Sequence, residues 1–298
     1  MAGTVKRRAR GFWPLALIFG LYVLFLYGPV ITIFVLSFQG PNGGLTFPMQ
    51  GTSVHWYQEL FKGLGVVDIG AALKRSLALG TVVMGLTVLI SLAAGLAFRK
   101  GLKGGGVLFY TSVASLIMPS IIISLGIGLQ FRLFDGIVKS LFERWEWTEA
   151  LETYTTLMGL YTSGLGAHLT WTLPFGMLIM FAVFNRFNPA YEEAARDLGA
   201  TPWQALRHVV LPLIGPSLVG VGMFGFTLSW DEIARSSQAI GDLNTLPLEL
   251  QGLTTTVTTP SIYALGTLTT LISLLVIFVA LGGVWLLRAR TAGMPHAH

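Results

Sequence analysis

Residues Ser76–Phe98 read SLALGTVVMGLTVLISLAAGLAF, with no charged residue in the run. Lys74-Arg75 closes it on one side and Arg99-Lys100 on the other. A helix that crosses a bilayer core needs about 20 predominantly apolar residues, so this stretch predicts a membrane span. Working outward, five further charge-poor runs predict spans at about 12–38, 106–131, 160–184, 213–234 and 261–287. The expected fold is all-α: one polytopic membrane domain over residues 1–298 with six transmembrane helices. The first run is too long for a signal peptide, whose apolar region is about 7–15 residues, and it contains Pro29, so an uncleaved span is expected.

Composition agrees. Hydrophobic residues make up 53% of the chain and charged residues 11%, against about 25% charged in soluble domains. Mean hydropathy is +0.69. A soluble globule of this size lacks the charges to cover its surface. There is no cysteine, which excludes disulfides, thiolate metal sites and cysteine nucleophiles. The net charge of +5 fits basic cytoplasmic loops better than nucleic-acid binding. With the N-terminus inside, the inner segments hold 12 of the 19 Lys and Arg residues, among them Lys6, Arg7, Arg8, Arg10, Arg99, Lys100 and Lys103. The bias predicts that both termini face the cytoplasm.

Catalytic signatures are missing. There is no G-x-x-x-x-G-K-S/T phosphate loop, no H-E-x-x-H zinc pair and no G-x-S-x-G nucleophile elbow. One G-x-G-x-x-G match, Gly220–Gly222–Gly225, lies inside an apolar run with no preceding strand, and reads as close helix packing. His296 and His298 are too few to argue a metal site. No cofactor, metal or catalytic residue is expected in the chain.

The inner segment 185–212, NRFNPAYEEAARDLGATPWQALRHVVLP, differs from the other loops. Asn188 suits a helix N-cap and Pro189 the first helical position. Glu192 and Glu193 then fall in the first turn, where the helix dipole favours acids. Gly199 is a natural stop. Thr201, Pro202 and Gln204 form the sequence of a capping box for a second helix, which Pro212 is expected to end. The segment therefore predicts two short helices bent at Gly199, with Ala194, Ala195 and Ala200 keeping their surface small. A helix lying flat on lipid is the alternative reading.

This loop resembles that of type I ABC importer permeases. Their pattern is Glu-Ala-Ala, three residues, Gly, nine residues, Ile, one residue, Leu-Pro; here it stands as Glu193-Ala194-Ala195, Gly199, Val209 and Leu211-Pro212, with Val209 in the place of Ile. Tyr27-Gly28-Pro29, Ser37-Phe38, Trp56-Tyr57, Glu59-Leu60-Phe61, His168 before Pro174-Phe175, Ser229-Trp230-Asp231-Glu232 and Thr245-Leu246-Pro247 are similar to the polyamine (spermidine/putrescine) branch, in its second, C-type subunit. Ala234-Arg235-Ser236-Ser237 departs from it in being more polar. The resemblance implies a permease subunit that forms a path for a small organic cation. It also implies a second permease partner in a heterodimer, two ATPase subunits that use ATP and Mg, and a periplasmic or surface-tethered binding protein. Residues 185–212 would be the ATPase-coupling loop, in a multi-pass protein of the bacterial inner membrane. Permeases for iron, thiamine, phosphonate or opine are close alternatives. An ion-coupled secondary carrier is a more distant one, and predicts a mid-span polar site without a docking loop.

Asp231, Glu232 and His168 are the candidate path residues. Counted from Pro216, Asp231 lies about 22 Å into a core of about 30 Å, where intramembrane charge is expensive and often functional. The alternative for the acids is an ion pair with Arg235, four residues from Asp231 and three from Glu232. The alternative for His168 is packing with a local hydrogen bond.

Overall fold

The computed structural model describes residues 12–62, 68–256 and 259–292. The basic cluster Lys6–Arg10, His296 and His298 lie outside the described residues. The described part is helical, with one isolated bridge between Gln39 and Thr52. Six helices are long and apolar enough to cross a membrane: Phe12–Leu36, Ile69–Phe98, Ser120–Arg144, Leu160–Arg186, Pro202–Trp230 and Ser261–Gly283. The described residues group into two compact units, those within 1–67 and 252–272 and those within 68–251 and 273–298.

In the first unit, α1 (Phe12–Leu36) is apolar from end to end and its side chains are almost all exposed. Such a surface is untenable in water and ordinary in lipid. After α1 the chain folds on the buried Gln39, whose amide donates to the carbonyls of Gly44 and Thr46 and accepts from the Gln50 N–H at 2.8 Å. Tyr57 of α2 (His55–Lys62) bonds Ser37 Oγ at 2.7 Å, and Tyr263 donates to the Leu45 carbonyl at 2.7 Å.

The second unit is built on α3 (Ile69–Phe98), α7 (Leu165–Arg186) and α10 (Leu211–Trp230). Asp68 caps α3 by accepting from the Ala71 N–H at 2.9 Å. Met180, Phe184, Val210, Ile214 and Val221 form its main apolar cluster. Small residues let these helices approach closely. A Cβ on Gly225 would come within 3.1 Å of Thr87, and one on Gly176 within 2.2 Å of Ser91 Oγ. Gly222 and Gly225 of the G-x-G-x-x-G match both face α3, whereas Gly220 meets nothing within 4 Å. The match is a helix-packing surface.

Three sequence expectations change. The third apolar run is not one span over 106–131: it splits into α4 (Gly105–Ala114) and α5 (Ser120–Arg144). Pro119 is the cause, since it has no N–H and disfavours helical geometry in the residue before it. The crossing helix is α5, whose 25 residues extend about 37 Å, so that Arg132, Asp135, Lys139 and Glu143 lie on the helix and not in a loop. After α6 (Thr148–Thr153), Asp135 accepts from Tyr154 at 2.5 Å, Thr156 at 2.6 Å and the Leu157 N–H at 2.7 Å, pinning the chain that returns to α7. Partial burial and the bond to Asp135 push the Tyr154 phenol up to about 12, which keeps it a donor.

The second change is in the fifth span. Pro212 does not end the helix before it. A turn of π-helix, Leu206–Val210, carries the chain from α9 (Pro202–Ala205) straight into α10, with the Leu211 N–H bonding the Leu206 carbonyl. Widening that turn relieves the contact between the proline ring and the carbonyl four residues back. The third change is at its far end. Helix α10 stops at Trp230, not 234, and Asp231 and Glu232 begin the turn that follows.

Candidate coupling loop and a buried polar node

After α7, the Asn188 side chain accepts from the Ala190 N–H at 3.0 Å, and α8 spans Ala190–Asp197. Helix α8 starts one residue later than the caps suggest, and Pro189 takes the N-cap position itself. Its C-terminus closes as a Schellman motif. The Ala200 N–H bonds the Ala195 carbonyl at 3.0 Å and the Gly199 N–H bonds the Arg196 carbonyl at 2.8 Å. Gly199 has φ +88°, a conformation that glycine adopts without a side-chain clash. Thr201 and Gln204 form the reciprocal capping box, at 3.3 Å and 2.8 Å.

The backbone of both short helices is thus satisfied internally, and the loop is free to present side chains. Leu198 is 90% exposed and Trp203 64% exposed, and Tyr191 is exposed too. Glu193 and Ala194 are exposed, Ala195 and Leu211 half-buried, and Pro212 exposed. Glu192, unlike Glu193, is engaged. Its Oε2 accepts from Arg99 Nη2 at 2.7 Å and its Oε1 pairs with Arg196 at 3.4 Å. The Arg99 guanidinium also stands 5.2 Å from the centroid of the Phe184 ring. Sequence reading used Arg99 only as a marker of membrane side, because a tie across 93 residues leaves no local signal.

The second cluster surrounds the chain that follows α10. His168, on α7, is buried between two hydroxyls: Nδ1 lies 2.8 Å from Ser229 Oγ and Nε2 lies 2.8 Å from Ser236 Oγ. Ser236 gives its single hydroxyl proton to the Glu232 carbonyl at 2.7 Å. It must therefore accept from Nε2–H, which leaves Nδ1 to accept from Ser229. The imidazole is then neutral with its proton on Nε2, a tautomer fixed by the network.

The expected pair of Asp231 with Arg235 does not form, because the helix ends at Trp230 and the four-residue register ends with it. Asp231 is exposed; the carboxylate of the buried Glu232 accepts from the Arg235 N–H at 2.8 Å. The Arg235 side chain turns inward and is completely buried. Its guanidinium donates to Thr170 Oγ1, to the Ser115 carbonyl at 3.0 Å and to Ser120 Oγ at 3.4 Å, and lies 4.8 Å from the centroid of the Trp171 ring. Among the described residues no carboxylate pairs with it. Carbonyl, hydroxyl and aromatic partners share the charge instead. Arg235 thereby ties the α4–α5 break to α7, and Ser124 adds a bond to the Arg235 carbonyl at 2.7 Å. The polar stretch Ala234–Ser237 was the sequence trace of this node; Ser115, Ser120 and Thr170 gave none, since serine and threonine are ordinary in membrane helices.

Comparison with known proteins agrees with this architecture. The family model described as "Binding-protein-dependent transport system inner membrane component" matches residues 87–291. The spermidine/putrescine transport system permease protein PotC of Haemophilus influenzae is 29% identical over 279 residues, covering 91% of this chain and 96% of that protein. The putrescine transport system permease protein PotI of Escherichia coli K12 is 26% identical, covering 82% of this chain and 81% of that one. Among solved structures, a bacterial ABC transporter involved in the import of alginate aligns with TM-score 0.54 at 17% identity, over 95% of this chain and 99% of that one. The methionine transporter MetNI, in an inward-facing form, aligns with TM-score 0.52 at 19% identity, over 74% of this chain and 95% of that one. These two share the fold. With six apolar helices and a family match over most of its length, the chain belongs to the binding-protein-dependent transport system inner membrane components, the multi-pass permeases of ABC importers.

Proposed function

We propose that this permease carries a small organic cation of the spermidine/putrescine class, and that residues 185–212 couple its helices to a separate ATPase. The supporting observation for coupling is the α8–Gly199–α9 element. Its two short helices are closed by the Schellman turn at Gly199 and the Thr201–Gln204 box, yet Tyr191, Leu198 and Trp203 along it are all exposed. The relatives named for polyamine transport, at 26–29% identity, support the substrate class. In this reading a second permease completes the pore and two ATPase subunits bind below with ATP and Mg. A periplasmic or surface-tethered binding protein delivers substrate above, and both termini are cytoplasmic. Glu193, Ala194, Ala195, Gly199, Leu211 and Pro212 form the coupling surface. Asp231 is the acid exposed toward the path; Glu232 and His168 hold the turn beside it.

Gly199→Val forces a β-branched residue to φ +88°, at a cost of about 1–3 kcal/mol in local strain. Glu193→Lys puts a cation at the positive end of α8. Both changes lie outside the six spans, so membrane levels stay normal. Labelled spermidine uptake falls at least tenfold, and less ATPase co-purifies. Wild-type uptake and ATPase retention in both variants would remove the coupling role. Normal uptake of another solute without spermidine uptake would remove the substrate assignment alone, and Asp231→Asn in the same assay reports on the path.

A further inference from the structure

We propose that the Arg99–Glu192 ion pair is a transmission strut, a positioning contact that makes α3 move with α8; the proposal rests on the coupling reading above. Three observations carry it. First, covalent continuity already ties α8 to its chain neighbours α7 and α10, but α3 is distant in sequence. Among the described residues Arg99–Glu192 is the ion pair that joins two different helices; the pairs Lys62–Glu59 and Arg196–Glu192 each lie within one.

Second, the two ends are anchored. Arg99 is the C-cap of α3, with its N–H on the Gly95 carbonyl at 3.1 Å and its guanidinium over Phe184 of the apolar cluster. At Gly95 a Cβ would come within 2.8 Å of the Phe184 ring, so the end of α3 is seated directly on α7. Glu192 sits in the first turn of α8, where the helix dipole holds its charge and Arg196 braces the second oxygen.

Third, the pair lies on the wall of a cleft. A cleft of about 410 Å³ lies beside it, with Arg99 and Lys100 on one wall and Phe184, Phe187, Glu192 and Glu193 among its other lining residues. Within that cleft the charge-assisted bond from Arg99 Nη2 to Glu192 Oε2 at 2.7 Å links the end of α3 directly to the first turn of α8. The side chains are only 20% and 16% exposed, so solvent screens it less than a surface pair. A displacement of α8 thus reaches α3, and through it the helix-packing surface with α7 and α10.

The chain has no cysteine, so Lys103→Cys, past the end of α3, and Asp197→Cys, at the end of α8, give a clean pair of spin-label sites. The labels are read in the assembled importer in lipid, with and without ATP and Mg. We expect a narrow inter-label distance that ATP leaves unchanged, because both ends move together. Arg99→Gln and Glu192→Gln should each broaden it at least twofold. Each should also lower uptake about tenfold while ATP hydrolysis continues, because the conformational step that limits transport is no longer driven. The exchange Arg99→Glu with Glu192→Arg should narrow the distribution again and recover part of the uptake. Recovery is partial because Arg196 then faces a like charge four residues away. Unbroadened distances in both single variants, or an exchange no better than the worse single, overturn the strut. If the parent chain retains no ATPase, the coupling reading fails separately, while label widths read on the full-length permease alone in lipid still report whether the pair holds α8 to α3.

Discussion

At the scale of residues, the buried polar groups around the turn after α10 find partners in distant sequence. His168 is bonded 61 and 68 positions away, to Ser229 and Ser236. Its presence was visible in the sequence as a lone histidine before Pro174; its role was not, because no periodicity relates positions so far apart. Arg235 is the sharper case. Four-residue spacing pointed to Asp231, but that spacing has meaning only inside a helix, and the helix ends one residue before Asp231. The network makes a quantitative expectation for His168→Ala. It deletes two buried hydrogen bonds and leaves Ser229 without an acceptor, at about 1–3 kcal/mol for each group left unsatisfied. The detergent-solubilised protein should melt several degrees lower. Ser236→Ala, which leaves Nε2–H without an acceptor, should show a smaller fall. A melting temperature unchanged in both would mean that the hydroxyls and the ring are not bonded as described.

At the scale of elements, what could be read in advance was what is encoded locally. The caps of the coupling loop are of this kind: Gly199 in a left-handed turn and the Thr201–Gln204 box are decided within a few residues. The breaks inside apolar runs were harder. Hydropathy treats 106–131 as one stretch, whereas Pro119 divides it; the same scale gives no hint that Pro212 is bridged and not a stop. A proline permits either outcome, and the surrounding packing chooses. The π-turn at Leu206–Val210 makes a testable difference here. Pro212→Ala restores an N–H and removes the ring that keeps the turn wide. The turn should relax toward an ordinary α-helix, which changes the phase of α9 by roughly one residue, or about 100°. Trp203 and the bend at Gly199 would then face a new direction. We expect Pro212→Ala to lose transport while its melting temperature holds or rises, since alanine is the better helix former. Equal uptake at equal membrane levels would show that the π-turn has no part in aiming the loop.

For the whole molecule, the composition had already settled the solvent, and the helices show how. Side chains such as Phe25, Leu133 and Phe278 are exposed along three different spans, and only lipid or a neighbouring subunit can cover them. Orientation rests on the asymmetry of the basic residues. Twelve of the 19 Lys and Arg residues fall on one side if the N-terminus is inside, and positive charge resists translocation. The extended α5 fixes where one crossing ends. From Pro119 onward it crosses a core of about 30 Å in some 20 residues and emerges near Lys139. Trp145 and Trp147, both more than half exposed, then sit at a membrane–water interface, where amphipathic rings are favoured. The turn at Lys100–Gly104 and the coupling loop both lie at the opposite ends of their spans. Reporters that distinguish the two compartments should therefore read outside when fused after Gly43 or Trp147, and inside when fused after Gly104 or Asn188. The pair Gly104 and Trp147 is the strict test, because only α5 separates them as a crossing: α4, at ten residues, is too short to span. If both read the same side, α5 does not cross and the count of spans is wrong; an outside reading at Asn188 would place the coupling loop beyond reach of any ATPase.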